Sequence, residues 1–121
     1  MNDFKRHNFK KLKIWHMAMQ LSKSSLDLTD TFPSHERYGL KDQIDRCAVS
    51  IPSNIAEGSS RTNKSFSHFL DISLGSSFEL QTQILLANHR KYLSDEGCEV
   101  FESAIEEFQK ATMVFQNMLN Q

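Results

Sequence analysis

A proline stands in the middle of the strongest helical stripe in this sequence. From Leu40 to Gly58, LKDQIDRCAVSIPSNIAEG, the apolar residues Leu40, Ile44, Cys47, Ala48, Ile51 and Ile55 recur at the spacing of one face of an α-helix. Pro52 removes a backbone donor from that helix and presses its ring on the carbonyl of Ala48, a cost of about 3 kcal/mol in an ordinary helix interior. Ser50, Ser53 and Asn54 flank it with short polar side chains suited to bonding loosened backbone groups. One kinked core helix is therefore expected rather than two helices. Gly58 is expected to close it in the left-handed conformation. Glu57 is expected to pair with a nearby arginine, Arg61 or Arg46; the alternative role is a ligand-binding carboxylate.

Few breakers interrupt the remaining sequence. Two prolines and four glycines in 121 residues, with 39% apolar residues, predict long helices and an all-α class. The length suits one domain, read as a basic lead-in at 1–9 and a four-helix bundle at 10–121. No apolar leader opens the chain and no run approaches the ~20 apolar residues of a membrane span, so a cytoplasmic protein without a membrane partner is expected. Cys47 lies on the buried stripe and Cys98 near the start of the last helix; two unpatterned cysteines read as free thiols.

The first helix is predicted near Lys10 to Asp30, with one stripe through Ile14, Ala18, Leu21, Ser25 and Leu28 and a second through Leu12, Trp15, Met19, Ser22 and Leu26. The second stripe is either a wider core face or a contact between subunits. Phe32-Pro33 stops this helix, and Ser34 is a candidate cap for the second helix. The third helix, Lys64 to Arg90, carries an inner face through Phe66, Phe69, Leu70, Ser73, Ser77, Leu80, Ile84 and Ala87, with Leu74, Phe78 and Leu85 beside it. Its small cluster Gly75-Ser76-Ser77 offers close approach to a neighbouring helix near Pro52. Ser94 caps the fourth helix, whose seam includes Phe101, Ile105, Phe108, Thr112 and Phe115. Short connections make sequential helices antiparallel neighbours, an up-down-up-down bundle.

Three separated motifs carry a resemblance: FPSHERYGL from Phe32, SIPSNIAEG from Ser50 to Gly58 followed by Arg61, and FLDISLGSSFEL from Phe69. Together they resemble a bacterial four-helix-bundle family that includes proteins encoded in intervening sequences of large-subunit (23S) ribosomal RNA genes and the accessory variability determinant of diversity-generating retroelements. The resemblance starts at LKIW from Leu12 and covers nearly the whole chain. It implies an antiparallel bundle assembled as a closed homo-oligomer, usually a pentamer, without catalysis. Within the family motif it singles out Pro52, Ser53, Asn54, Glu57 and Gly58.

Catalytic chemistry finds no foothold in the residue pattern. No Glu is followed three residues later by His, as a di-iron bundle needs, and His7, His16, His35, His68 and His89 are scattered without zinc spacing. The serines near Pro52 belong to no Gly-x-Ser-x-Gly elbow, and no glycine-rich phosphate loop is present. The expectation is a protein without catalytic residues, metal or cofactor. Charge is more informative. The net charge is −1, yet residues 1 to 13 carry Lys5, Arg6, Lys10, Lys11 and Lys13 against Asp3 alone, while the last helix carries Asp95, Glu96, Glu99, Glu102, Glu106 and Glu107 against Lys110. Lys10, Lys11 and Lys13, with Arg61 and Lys64, are candidate phosphate contacts to RNA or DNA, multiplied by an oligomer. The first functional reading is an RNA-associated scaffold. The alternative is an assembly or adaptor module whose partner is a protein docked on the acidic last helix.

Overall fold

The structure, a computed structural model, describes residues 6–121. Four α-helices succeed one another: α1 Lys13–Thr29, α2 Leu40–Ser59, α3 Asn63–His89 and α4 Asp95–Leu119, with short 3-10 turns at Phe9–Lys11 and Ser34–Glu36. No strand occurs among the described residues. Local caps form: Thr62 Oγ1 accepts from the Ser65 amide at 3.3 Å, and Ser94 Oγ, the cap expected for α4, accepts from the Gly97 amide at 3.0 Å. Ser34 instead begins a 3-10 turn, and the start of α2 is satisfied by Glu36, whose Oε1 accepts from the Leu40 amide at 3.1 Å.

The apolar stripes meet in one core, in which Ile44, Ile51, Ile55, Phe66, Leu70 and Phe108 are fully buried. Each such side chain contributes roughly 1.5–3 kcal/mol relative to exposure. Helix α2 has its most extensive contact with α3, while α1 and α4 touch least. Between α2 and α3, residue numbers rise on one helix as they fall on the other: Ser50 meets Ser76, Ile51 meets Ser73, and Gly58 meets Phe66. Between α3 and α4 the order is likewise opposed, with Gln81 bonded to Glu102, Ser77 to Gln109 and Asp71 to Gln116.

Helix α2 runs without interruption through Pro52. Ser53 Oγ donates to the Val49 carbonyl at 2.7 Å and Asn54 Nδ2 to the Ser50 carbonyl at 2.8 Å, so the flanking polar residues bond the adjacent backbone as expected. Gly58 does something else. No described glycine has a positive φ, and α2 continues past Gly58 to Ser59. A Cβ on Gly58 would lie 2.7 Å from the Phe66 ring and 2.8 Å from Phe69 Cβ, so glycine is required there by the approach of α3 and not by a turn. The left-handed closure occurs on Lys91 instead, with φ 63°, where the Tyr92 amide reaches back to the Ala87 carbonyl at 2.9 Å.

Two further expectations change on packing. The second stripe of α1 is largely covered: Leu12 and Trp15 pack on the core and Ser22 is buried, leaving Leu26 exposed, so this stripe widens the core face. On α3, Leu74 is buried while Phe78 and Leu85 stay about half exposed, joined by Leu86. The close approach to α2 is at Ser76, whereas Ser77 bonds Gln109 of α4 and Gly75 has nothing within 4 Å of a Cβ placed there. Ser73 and Ser76 are the residues that touch α2, Ser73 Oγ donating to the Ile51 carbonyl at 2.8 Å.

Candidate nucleic-acid interface

The segment before α1 is held against the turn between α2 and α3. The His7 amide donates to the Ser59 carbonyl at 3.0 Å, its ring nitrogen lies 3.3 Å from Asn63 Oδ1, and the ring packs edge-on against Phe66 and Phe115 at 5.3 and 5.9 Å. Asn8 then caps the 3-10 turn, its Oδ1 accepting from the Lys10 amide at 3.1 Å. Phe9 packs on Trp15 at 5.1 Å, and the His16 ring contacts the Lys10 carbonyl at 2.6 Å. These anchors fix the backbone that carries Lys10, Lys11 and Lys13, so their flexible ammonium groups start from a defined rim. Of the basic lead-in at 1–9, residues 1–5 lie outside the described residues, Lys5 among them.

The other two candidate residues lie beside that turn. Lys64 is exposed in the first turn of α3. Arg61 is already engaged: its guanidinium bonds Glu57 at 2.8 Å and sits 5.2 Å from the centre of the Phe69 ring. Thus Glu57 has the arginine partner expected for it, whereas Arg46 pairs loosely with Asp42 at 3.7 Å. Lys10, Lys11, Lys13 and Lys64 are exposed and make no ion pair among the described residues. The fold therefore gathers Lys10, Lys11 and Lys13 with Lys64 and Arg61 at one end, with Arg61 partly neutralised. His7 and Asn63, which close this end, carry no periodic signal; Asn8 as a turn cap is the legible clue.

The family-motif residues do structural work on α2. Pro52 and Gly58 are buried, and Ser53, Asn54 and Glu57 bond within α2 or to the turn beyond it. At the far end the FPSHERYGL motif makes a clamp: Glu36 Oε2 accepts from the Tyr92 hydroxyl at 2.7 Å and the Phe32 ring packs 4.8 Å from the Tyr92 ring. The hydrogen bond from Tyr92, and after it that from the Leu40 amide, lowers the Glu36 carboxyl below its ordinary range. Burial raises the Cys47 thiol to about 11, with Glu79 adding to it, and burial also raises Cys98; both are free. Among the described residues no group of three metal-ligating side chains lies close enough to hold an ion, and no helix is long and apolar enough to cross a membrane.

The family model for the 23S rRNA-intervening sequence protein matches residues 10–113. A solved structure from Bacteroides thetaiotaomicron, a protein of unknown function from the S23 ribosomal protein family, superposes with a TM-score of 0.79 at 19% identity, covering 86% of this chain and 95% of its own. That likeness establishes a shared fold. No curated protein matches the chain. With the family match running from the 3-10 turn almost to the end of α4, the chain belongs to the 23S rRNA-intervening sequence protein family.

Proposed function

We propose that this protein is a non-catalytic scaffold that binds structured RNA through phosphate contacts at the end bearing Lys10, Lys11, Lys13 and Lys64. The observation that carries the reading is the convergence of four exposed lysines without acidic partners on one rim. The N-termini of α1 and α3 lie at the same rim beside the C-terminal ends of α2 and α4, so the lysines and not the helix dipoles supply its net positive charge. The family description, which names an intervening sequence of 23S rRNA, supports RNA as the nucleic acid. Arg61 is a lesser contributor, because Glu57 competes for it. The helices form an antiparallel up-down-up-down bundle in this reading, supported by the opposed order of contacts across α2, α3 and α4. The bundles close into a cytoplasmic homo-oligomer, a pentamer by the family resemblance, using the half-exposed Phe78 and Leu85 of α3 as the subunit contact. Repetition around an axis then multiplies a weak rim into a ring of charge.

Fluorescence anisotropy of labelled structured RNA and duplex DNA over a series of salt concentrations tests the contact. Binding should weaken steeply with salt, and each lysine lost should reduce the logarithmic slope by about 0.9 on duplex DNA and about 0.7 on single strands. Changing Lys10, Lys11 and Lys13 together to Glu should abolish binding while the helical spectrum is kept. Absence of binding at low salt would sink the RNA reading. Light scattering tests the assembly separately, with a monomer at micromolar concentration as the result against it.

A further inference from the structure

Between α1 and α4 the surface opens into a groove that shares only Lys13 with the lysine rim. Met17 and Leu21 of α1 and Phe101 and Ala104 of α4 line a cleft of about 220 Å³, which continues past Val114 and Met118. Val100, Val114 and Met118 on its α4 side are 70%, 61% and 63% exposed, an unusual amount of apolar surface to leave in water. At its Val100 end the rim is charged on one side only. Glu96, Glu99 and Glu107 stand along the α4 edge, and none of them makes an ion pair or hydrogen bond within the described residues. Across from them Gln20 and Ser24 of α1 bond to each other at 3.4 Å and offer no cation. Three uncompensated carboxylates beside an apolar floor form a surface that a neutral occupant would leave electrostatically unsatisfied.

We propose that this groove receives a basic amphipathic helix from a partner protein. Its apolar stripe would lie on the floor between α1 and α4, with lysine or arginine residues over Glu96, Glu99 and Glu107. From Val100 to Met118 the groove runs along α4 for about 27 Å, the length of roughly five helical turns. Met17 and Met118 adapt their thioether side chains to different apolar stripes. Lys13 and Lys110 flank the far end, so the occupant carries its positive charge toward the Glu96 end and is neutral or acidic toward Met118. A second copy of this chain supplies no such helix from its basic segment. The apolar residues next to Lys10, Lys11 and Lys13, namely Leu12, Ile14 and Trp15, already pack in the chain's own core.

A fluorescein-labelled synthetic helix of about 20 residues, with leucines on one stripe, lysines on the half that faces Glu96 and Glu99 and glutamines on the other half, is the probe. A scrambled peptide of the same composition is its control. The amphipathic peptide should bind the full chain and shift the methyl resonances of Met17 and Met118. The pair Glu99→Lys and Glu107→Lys should weaken it at least tenfold, and Val100→Ser with Val114→Ser at least threefold. All four positions are exposed, and the helical spectrum checks the fold. A Lys10→Glu, Lys11→Glu variant that keeps Lys13, which lines the groove, should bind the peptide as the parent does. Equal binding of the scrambled peptide, or an affinity indifferent to charge reversal, would overturn the proposal. So would a serine pair that dissociates a self-assembled oligomer in a protein that ignores the peptide, since the groove would then belong to a second copy.

Discussion

Two seams of this fold are closed by opposite means. Across α2 and α3, small residues bring the backbones together and polar atoms cross: Cys47 Sγ donates to the Ser76 carbonyl at 3.1 Å, Ser50 and Ser76 share a bond at 2.9 Å, and Ser73 donates to Ile51. Across α1 and α4, no hydrogen bond or ion pair connects the described helices, and the apolar groove remains. What ties those two helices lies beyond their lengths. Tyr92, ahead of α4, bonds Glu36, which lies after α1, and His7, ahead of α1, packs against Phe115 of α4. A seam with directional bonds admits one geometry, whereas an apolar seam tied at its ends can take a partner without breaking anything.

The largest break should come in the closed seam. Phe66 is fully buried where Gly58, His7 and Phe115 meet, and Phe66→Ala should cost about 3–5 kcal/mol in urea denaturation. Gly58→Ala comes next. In a free helix alanine gains up to ~1 kcal/mol over glycine, but here the added methyl meets Phe66 and Phe69, so a net loss of about 1–3 kcal/mol is expected. A gain in stability would show that the contact yields.

Thr112 on α4 should move the other way. It is fully buried and its hydroxyl has no partner among the described residues, so Thr112→Val should stabilise by about 1 kcal/mol, read as a raised denaturation midpoint. The tie at the end of the open seam gives a pH effect. The Glu36 carboxyl is lower in the folded chain than unfolded, so its contribution is present above the ordinary carboxylate range and is lost as pH falls through the folded value. Denaturation midpoints should decline on acidification, and Tyr92→Phe should flatten that decline. If the slope is the same without the hydroxyl, the tie is not what holds Glu36 ionised. The smallest effect is expected in the open seam, where Val100→Ala should change stability by less than about 0.5 kcal/mol. A loss comparable to that of Gly58→Ala would mean the α1–α4 surface is closed in solution.

Much of this architecture is readable before any coordinates, because it rests on neighbours along the chain. Ser53 and Asn54 reach backbone groups one turn away, Thr62 and Ser94 cap amides three residues on, and Arg61 meets Glu57 one turn earlier. The candidate rim is partly legible for the same reason. Lys10, Lys11 and Lys13 are close in sequence, but their meeting with Lys64 depends on His7 docking at Ser59 and Asn63, both more than fifty positions away.

Four helices, the caps of α3 and α4 and the continuity of α2 through Pro52 are written in the amino-acid order alone, since periodicity and short-range hydrogen bonds act within a turn or two. Packing settles the rest. The two stripes of α1 and the two strips of α3 look alike in hydrophobicity, yet Leu12 and Trp15 are covered while Phe78 and Leu85 are half exposed. Gly58 reads as a helix stop in sequence and is a contact point in space. Burial belongs to the relative placement of helices and not to any one of them, so only the packed chain shows which apolar face is already satisfied and which remains open to a partner.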